Sequence, residues 1–271
     1  MNDRKVRVRE LAGWGLDEYE YRPGSLDPTK VTRAHKLVTQ RLPFQVKDAV
    51  FEAKDPLLLD ILGEQTLRPD LHAEMAGLEW SVGIVDLRLL LAFQRRLVLN
   101  PSATDFRIPA PNDWSALTDV AFGSPKQIMC NLVRNEAEVQ IQSSDPNLHF
   151  RTTSDASSPI IVHAGSPFFE VAQYHGRWFL RDGYHRAYGL LRAGVFQLAA
   201  VVVQTRTLEE LGAARPWFFP EEVLLSSSPP RVTDFLDDAL VLEYERIPLV
   251  KTLRVTMEET LAPAAFSGEN I

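Results

Sequence analysis

Five consecutive residues, Asp182-Gly183-Tyr184-His185-Arg186, combine types and spacing suited to binding an anion. They fall where a strand is expected to give way to a helix. The first amides of a helix have no intrahelical partner, and the aligned peptide dipoles make that end partly positive. Gly183 allows a ligand close to the backbone, and His185 and Arg186 add donors, a combination suited to phosphate. Gly183, Tyr184, His185 and Arg186 are therefore the candidate binding residues, and Asp182, His185 and Glu170 the candidate catalytic ones. A buried Glu170 would have a raised pKa and act as a general base, whereas on a solvent face it is merely charged. The same five residues also read as a structural turn, with Arg186 paired to a surface carboxylate and His185 bonded to a neighbouring carbonyl. The two readings part on whether Arg186 opens onto a cavity.

The elements that must position these residues follow from local pattern. Phe168 to Tyr174 is aromatic and β-branched and predicts a strand. His175-Gly176 predicts a turn, and Arg177 to Arg181 a returning strand with Trp178 and Leu180 on one face. Asp182 is expected to cap the next helix, in which Tyr184, Ala187, Tyr188 and Leu191 recur at helical spacing and Leu190 widens the stripe. Gly194 suits a left-handed residue past the helix end, and Leu198 to Gln204 reads as a strand buried on both faces. Val171, Leu180, Leu190, Leu191 and Val202 are the expected core.

Over residues 166–205 this hairpin, Asp-Gly-x-His-Arg turn, helix and buried strand resembles the ParB/sulfiredoxin superfamily. The resemblance implies an α+β fold, a mixed β-sheet with surrounding helices, and nucleotide binding at the helix start. Sulfiredoxins carry a nucleophilic cysteine where this chain has Tyr184, which argues against their chemistry. Chromosome-partitioning ParB proteins, CTP-dependent DNA clamps, carry Gly-Glu-Arg-Arg there, also missing here. The nearest written form, Asp-Gly-His-His-Arg, belongs to a branch that includes ADP-dependent free-serine kinases. The implied ligands are ADP, ATP or CTP with a divalent metal such as Mg, for which the sequence identifies no ligand set.

Charge narrows the partners. The chain carries a net charge of −7, which disfavours nucleic acid, because phosphate neutralisation supplies much of that affinity. Its most basic stretch, Arg4 to Arg9, reads as an edge strand or a loose arm, and no helix-turn-helix pattern follows the signature. No apolar stretch approaches the roughly 18 residues of a membrane span, and the opening residues lack the apolar region of a secretory signal. A lone cysteine, Cys130, read as a buried structural thiol, agrees with an expected cytoplasmic location. Zincin, P-loop and nucleophile-elbow motifs are missing.

Elsewhere, helices are expected over 28–40, 56–62, 70–77 and from Trp114, and a Leu-rich helix from Asp86 to Arg95. Strands are expected over 44–53, 80–85, 139–142, 160–162 and 251–257, an acidic amphipathic helix over 233–245, and a polar loop over 152–158. Pro216 to Pro220 is an aromatic loop that suits a lid over the core. The expected organisation is an N-terminal extension (1–43), one α+β domain (44–258) and a C-terminal tail (259–271). Three functions fit. The first is a nucleotide- or phosphate-ligand-binding protein, with phosphotransferase or nucleotide hydrolase activity if it is an enzyme. The second is a non-catalytic regulatory or protein-interaction module, using Trp217 to Phe219 and the acidic helix. The third, disfavoured by charge, is a ParB-like nucleic-acid-acting protein.

Overall fold

The computed structural model describes residues 5–24, 26–99, 107–124, 129–135, 137–144, 148–152 and 160–261. The expected loop over 152–158 lies almost wholly outside them. The fold is α+β, with helices and mixed sheets. In chain order the strands are β1 (Val6–Leu11), β2 (Val50–Phe51), β3 (Glu79–Asp86), β4 (Arg96–Leu99), β5 (Asn131–Arg134), β6 (Glu138–Ser143), β7 (Leu148–Thr152), β8 (Ile160–Ala164), β9 (Glu170–Tyr174), β10 (Arg177–Asp182), β11 (Gln197–Gln204), β12 (Val241–Arg246) and β13 (Lys251–Thr256). The helices are α1 (Pro28–Thr39), α2 (Pro56–Thr66), α3 (Pro69–Glu74), α4 (Trp114–Ala121), α5 (Tyr184–Arg192), α6 (Leu208–Leu211) and α7 (Glu221–Leu224).

Contacts divide the chain into two units. The larger comprises residues 1–125 and 166–248 and holds a five-stranded sheet in the order β10-β9-β11-β3-β2 and a three-stranded sheet, β12-β1-β4. In the first sheet β11 lies parallel to β9 and antiparallel to β3, so α5 is the crossover that returns the chain from β10 to the middle of the sheet. The smaller unit, residues 126–165 and 249–271, holds β13-β6-β5 and the pair β7-β8.

The hairpin, helix and buried strand of residues 166–205 form where their patterns predict them. His175 and Gly176 both have positive φ (47° and 70°), the conformation a two-residue hairpin turn needs to match the twist of its strands. Val171, Leu180, Leu190, Leu191 and Val202 are all buried. Val-rich β11 is buried on both faces because it sits mid-sheet beneath the main core. Phe219 of the aromatic loop is buried, whereas Trp217 remains 54% exposed.

Several expectations give way to tertiary context. β1 is the middle strand of its sheet, so the basic opening stretch is neither edge nor arm, and residues 1–43 contribute to the larger unit. The chain over 233–245 is not a helix. A short 3-10 turn (Val232–Leu236) leads into β12, which pairs antiparallel with β1, and Arg9 binds Phe235 O, Asp238 and Glu243. From Asp86 only one 3-10 turn forms (Leu87–Leu89). Leu90 to Phe93 then runs extended and fully buried, with Leu91 bridging to Phe179 and to Arg231, so neighbours on every side replace helical hydrogen bonds. Only Val50–Phe51 of the expected 44–53 strand is paired. Cys130 is exposed, because it precedes β5, whose residues all face solvent.

Leu191→Ala is expected to cost about 2–5 kcal/mol, the range for truncating a buried leucine, read as a lower urea midpoint at unchanged m. A change within error of zero would contradict the helical register of α5.

Candidate functional site

The site is the junction of β10 and α5. Its backbone is set by Gly183, which stands at the helix N-cap with φ of 101°. A Cβ at that position would lie 2.5 Å from Cδ2 of Phe169, so both the conformation and the close approach require glycine. Asp182 ends β10 and does not cap the helix through its side chain, because the left-handed Gly183 intervenes. The first intrahelical bond runs from the Ala187 amide to the Gly183 carbonyl, leaving the amides of Tyr184 and Arg186 without partners inside the helix.

The three side chains that follow are turned to the protein. The Tyr184 hydroxyl is buried and accepts the Phe93 amide at 3.0 Å. His185 Nε2 lies 2.7 Å from the Val98 carbonyl, which only accepts, so Nε2 carries the proton. Arg186 donates through one terminal nitrogen to the carbonyls of Val120 (3.1 Å) and Pro167 (2.7 Å), and through the other to that of Phe168 (2.6 Å). The second nitrogen also lies 3.6 Å from Asp182. Arg186 therefore joins the first turn of α5 to the end of α4 and to the approach of β9. It does not open onto a cavity as an anion clamp would, and the bond of His185 to a carbonyl is the one that the structural-turn reading expects.

The two carboxylates behave differently. Glu170 and Asp182 are direct partners in the β9–β10 register, beside a β-bulge at Arg181, and so come together. Glu170 is 1% exposed, which settles the choice between an inward and a solvent face. One of its oxygens is paired with the Arg181 guanidinium, whose Nε also donates to the Glu210 carbonyl. The other, Oε1, is buried and meets no hydrogen-bond donor among the described residues. Such an oxygen costs about 1–3 kcal/mol, more when charged, so it marks a place where a donor is wanted.

Opposing influences act on Asp182. Its side chain is 42% exposed, which favours the charged form. Dense protein around it desolvates the carboxyl and the negative charge of Glu170 opposes ionisation, while Arg186 pulls the other way. The net direction is upward, to about 7, with desolvation the largest cause. Residue type singles out the two acids, but the acceptors that hold Arg186 and His185 are four backbone carbonyls, which leave no trace in side-chain type.

Among the described residues no group of three or more His, Cys, Asp or Glu is placed to hold a metal ion. Two carboxylates can take part in a magnesium site when phosphate oxygens complete the shell. Here Arg181 and Arg186 already balance their charge, so a cation would depend on the ligand's own phosphates. No helix among the described residues is long and apolar enough to cross a membrane.

A pH dependence follows from Asp182. Its folded pKa is raised, so its contribution to stability is fully present below the unfolded value and is lost as pH rises from about 4 through 7. Asp182→Asn should therefore gain in Tm relative to wild type across that window, as read by thermal melts at pH 4 to 8. A constant difference would show an ordinary carboxyl. Arg186→Ala should cost about 3–5 kcal/mol, the range for breaking a buried charged contact, in a chemical denaturation curve. Arg186→Lys should recover only part of it, because an ammonium cannot reproduce the planar fork.

Compared with protein-family models, curated proteins and solved structures, the chain matches none.

Proposed function

We propose that this chain has the ParB/sulfiredoxin fold and binds a phosphorylated small molecule or nucleotide at the β10–α5 junction, where Asp182 and Glu170 handle a proton. The observation that carries the reading is the unpartnered buried oxygen of Glu170, in register with a carboxyl whose pKa is raised. A group that titrates near neutral pH is suited to accept and return a proton. The phosphate would lie against the backbone amides beyond Gly183. A hydroxyl on the same ligand, or on a second substrate, would donate to Glu170.

In a phosphoryl transfer the attacking hydroxyl or water forms its bond to phosphorus as the leaving oxygen departs. Its proton passes to Glu170, to which it was donated, and by way of Glu170 to the Asp182 carboxylate in register with it. Glu170, held in place by its pairing with Arg181, orients the attacking oxygen. A divalent ion bound with the ligand would neutralise phosphate charge. Positioning and electrostatics supply most of the catalysis in such reactions, and the Gly183 turn is rigidly placed for both.

A specific observation also favours a second reading. Tyr184, His185 and Arg186, the side chains expected to touch a ligand, all bond to the protein itself. A module that keeps the fold for regulation, without turnover, needs no more than that. The two readings separate in a panel of ADP, ATP, CTP and GTP with and without magnesium. A ligand at about 100 times its Kd should stabilise the chain by roughly 2.7 kcal/mol. Asp182→Asn and Glu170→Gln should still bind that ligand, while turnover falls by about 10²–10⁴-fold, the range for losing a proton-transfer group. Binding without turnover in the wild type would select the regulatory reading. A flat response to every nucleotide and to inorganic phosphate would refute a phosphate-ligand site at this junction.

A further inference from the structure

The C-terminal half of α5 faces a different feature, a recess of about 700 Å³ in the larger unit. Its basic lining is Arg7 and Arg9 from β1, Lys30 from α1 and Arg192 from α5, and its acids are Asp238 and Glu243. Arg9 forms the floor, with only 9% of its side chain exposed, and its two terminal nitrogens each lie 2.6 Å from one of those acids. Both carboxylates are thus held by a residue that is itself buried.

The remaining cations are far less engaged. Arg7 lies 3.6 Å from Glu243. Among the described residues neither Lys30 nor Arg192 comes within 4 Å of a carboxylate, although both act on Asp238 from farther away. The guanidinium of Arg192 rests over the Tyr188 ring at 5.6 Å, and that of Arg9 lies 5.8 Å from the same ring. An arginine stacked on an aromatic ring is oriented, yet its donors still point outward. Four cations against two acids leave the lining at +2, in a chain whose net charge is −7. Lys30 and Arg192 act on Asp238 through space, but two acids offset only part of four like charges, and a bound anion would relieve the remaining repulsion.

We propose that this recess binds a small molecule carrying a doubly or more highly charged phosphate group, with Arg7, Lys30 and Arg192 as its donors. Three cations from three separate elements suit a tetrahedral, multiply charged anion, which accepts from several directions at once. The volume leaves room for an organic group beside the phosphate. The two acids and the chain's overall negative charge oppose a long polyanion. The inference does not rest on the reading of the β10–α5 junction. The ends of α5 are about 12 Å apart at 1.5 Å per residue, beyond the roughly 8 Å screening length at physiological salt.

Inorganic pyrophosphate titrated calorimetrically into the full chain tests this, with citrate as a carboxylate of comparable charge. Pyrophosphate should bind, and more tightly than citrate. Arg192→Ala and Lys30→Ala should each raise its Kd by about 10–100-fold, the equivalent of one hydrogen bond to a charged group. Arg192 is exposed and Lys30 half-buried, and unchanged melting temperatures would confirm intact folding. Asp182→Asn should leave the pyrophosphate Kd unchanged, which separates this site from the junction. Undetectable pyrophosphate binding, or equal affinity in wild type and both alanine variants, would overturn the proposal. Equal affinity for citrate would overturn its phosphate class.

Discussion

The guanidinium of Arg186 is the contact on which the geometry of the signature segment depends. It is a charge held at 19% exposure by three carbonyl oxygens, from Val120, Pro167 and Phe168, with Asp182 beyond them. Those carbonyls belong to the last turn of α4 and to the residues that lead into β9. One side chain therefore fixes the start of α5 against two elements distant in sequence. Burying it lowers its affinity for the proton, although an arginine remains charged throughout. A buried charge with all its partners in place is a strong constraint on register, since any slip would leave it uncompensated.

From that constraint the rest of the junction follows. Phe169, next to the carbonyl that Arg186 holds, packs against Gly183 so closely that no side chain fits there. The left-handed turn at Gly183 then directs α5 back across the sheet, and β11 inserts between β9 and β3. Glu170 begins β9 and Asp182 ends β10, so the same hairpin sets the two acids opposite one another. Structural demands thus take up the side chains of the helix, and the groups left to do chemistry are the acids on the strands. At the other end of α5, Arg192 faces a cluster of cations with few partners. A nine-residue helix is bordered by an acidic pair at its start and a basic recess at its end.

How much of this could be read in advance depended on whether local pattern and tertiary context agreed. The hairpin, α5 and β11 were legible because the turn glycines, the helical stripe and the β-branched run all point one way. The segments 86–95 and 233–245 were not. Their apolar or acidic periodicity suits a helix, and strand pairing with β1 or burial on all sides overrides it. The basic opening was misread because alternating charge looks like an exposed edge, whereas Arg9 is buried through its bonds to Glu243, Asp238 and Phe235. At the site, residue types singled out Glu170 and Asp182 without showing how they differ. Arg181 pairs directly with Glu170, whereas desolvation is the largest influence on Asp182.

The most direct measurement is a carbon-13 NMR titration of the Asp182 carboxyl, in wild type and in Glu170→Gln. Desolvation together with the neighbouring negative charge predicts a midpoint near 7, moving downward when Glu170 loses its charge. A midpoint near the unperturbed aspartate value of about 4, indifferent to Glu170→Gln, would contradict an acid pair poised to handle a proton at this junction.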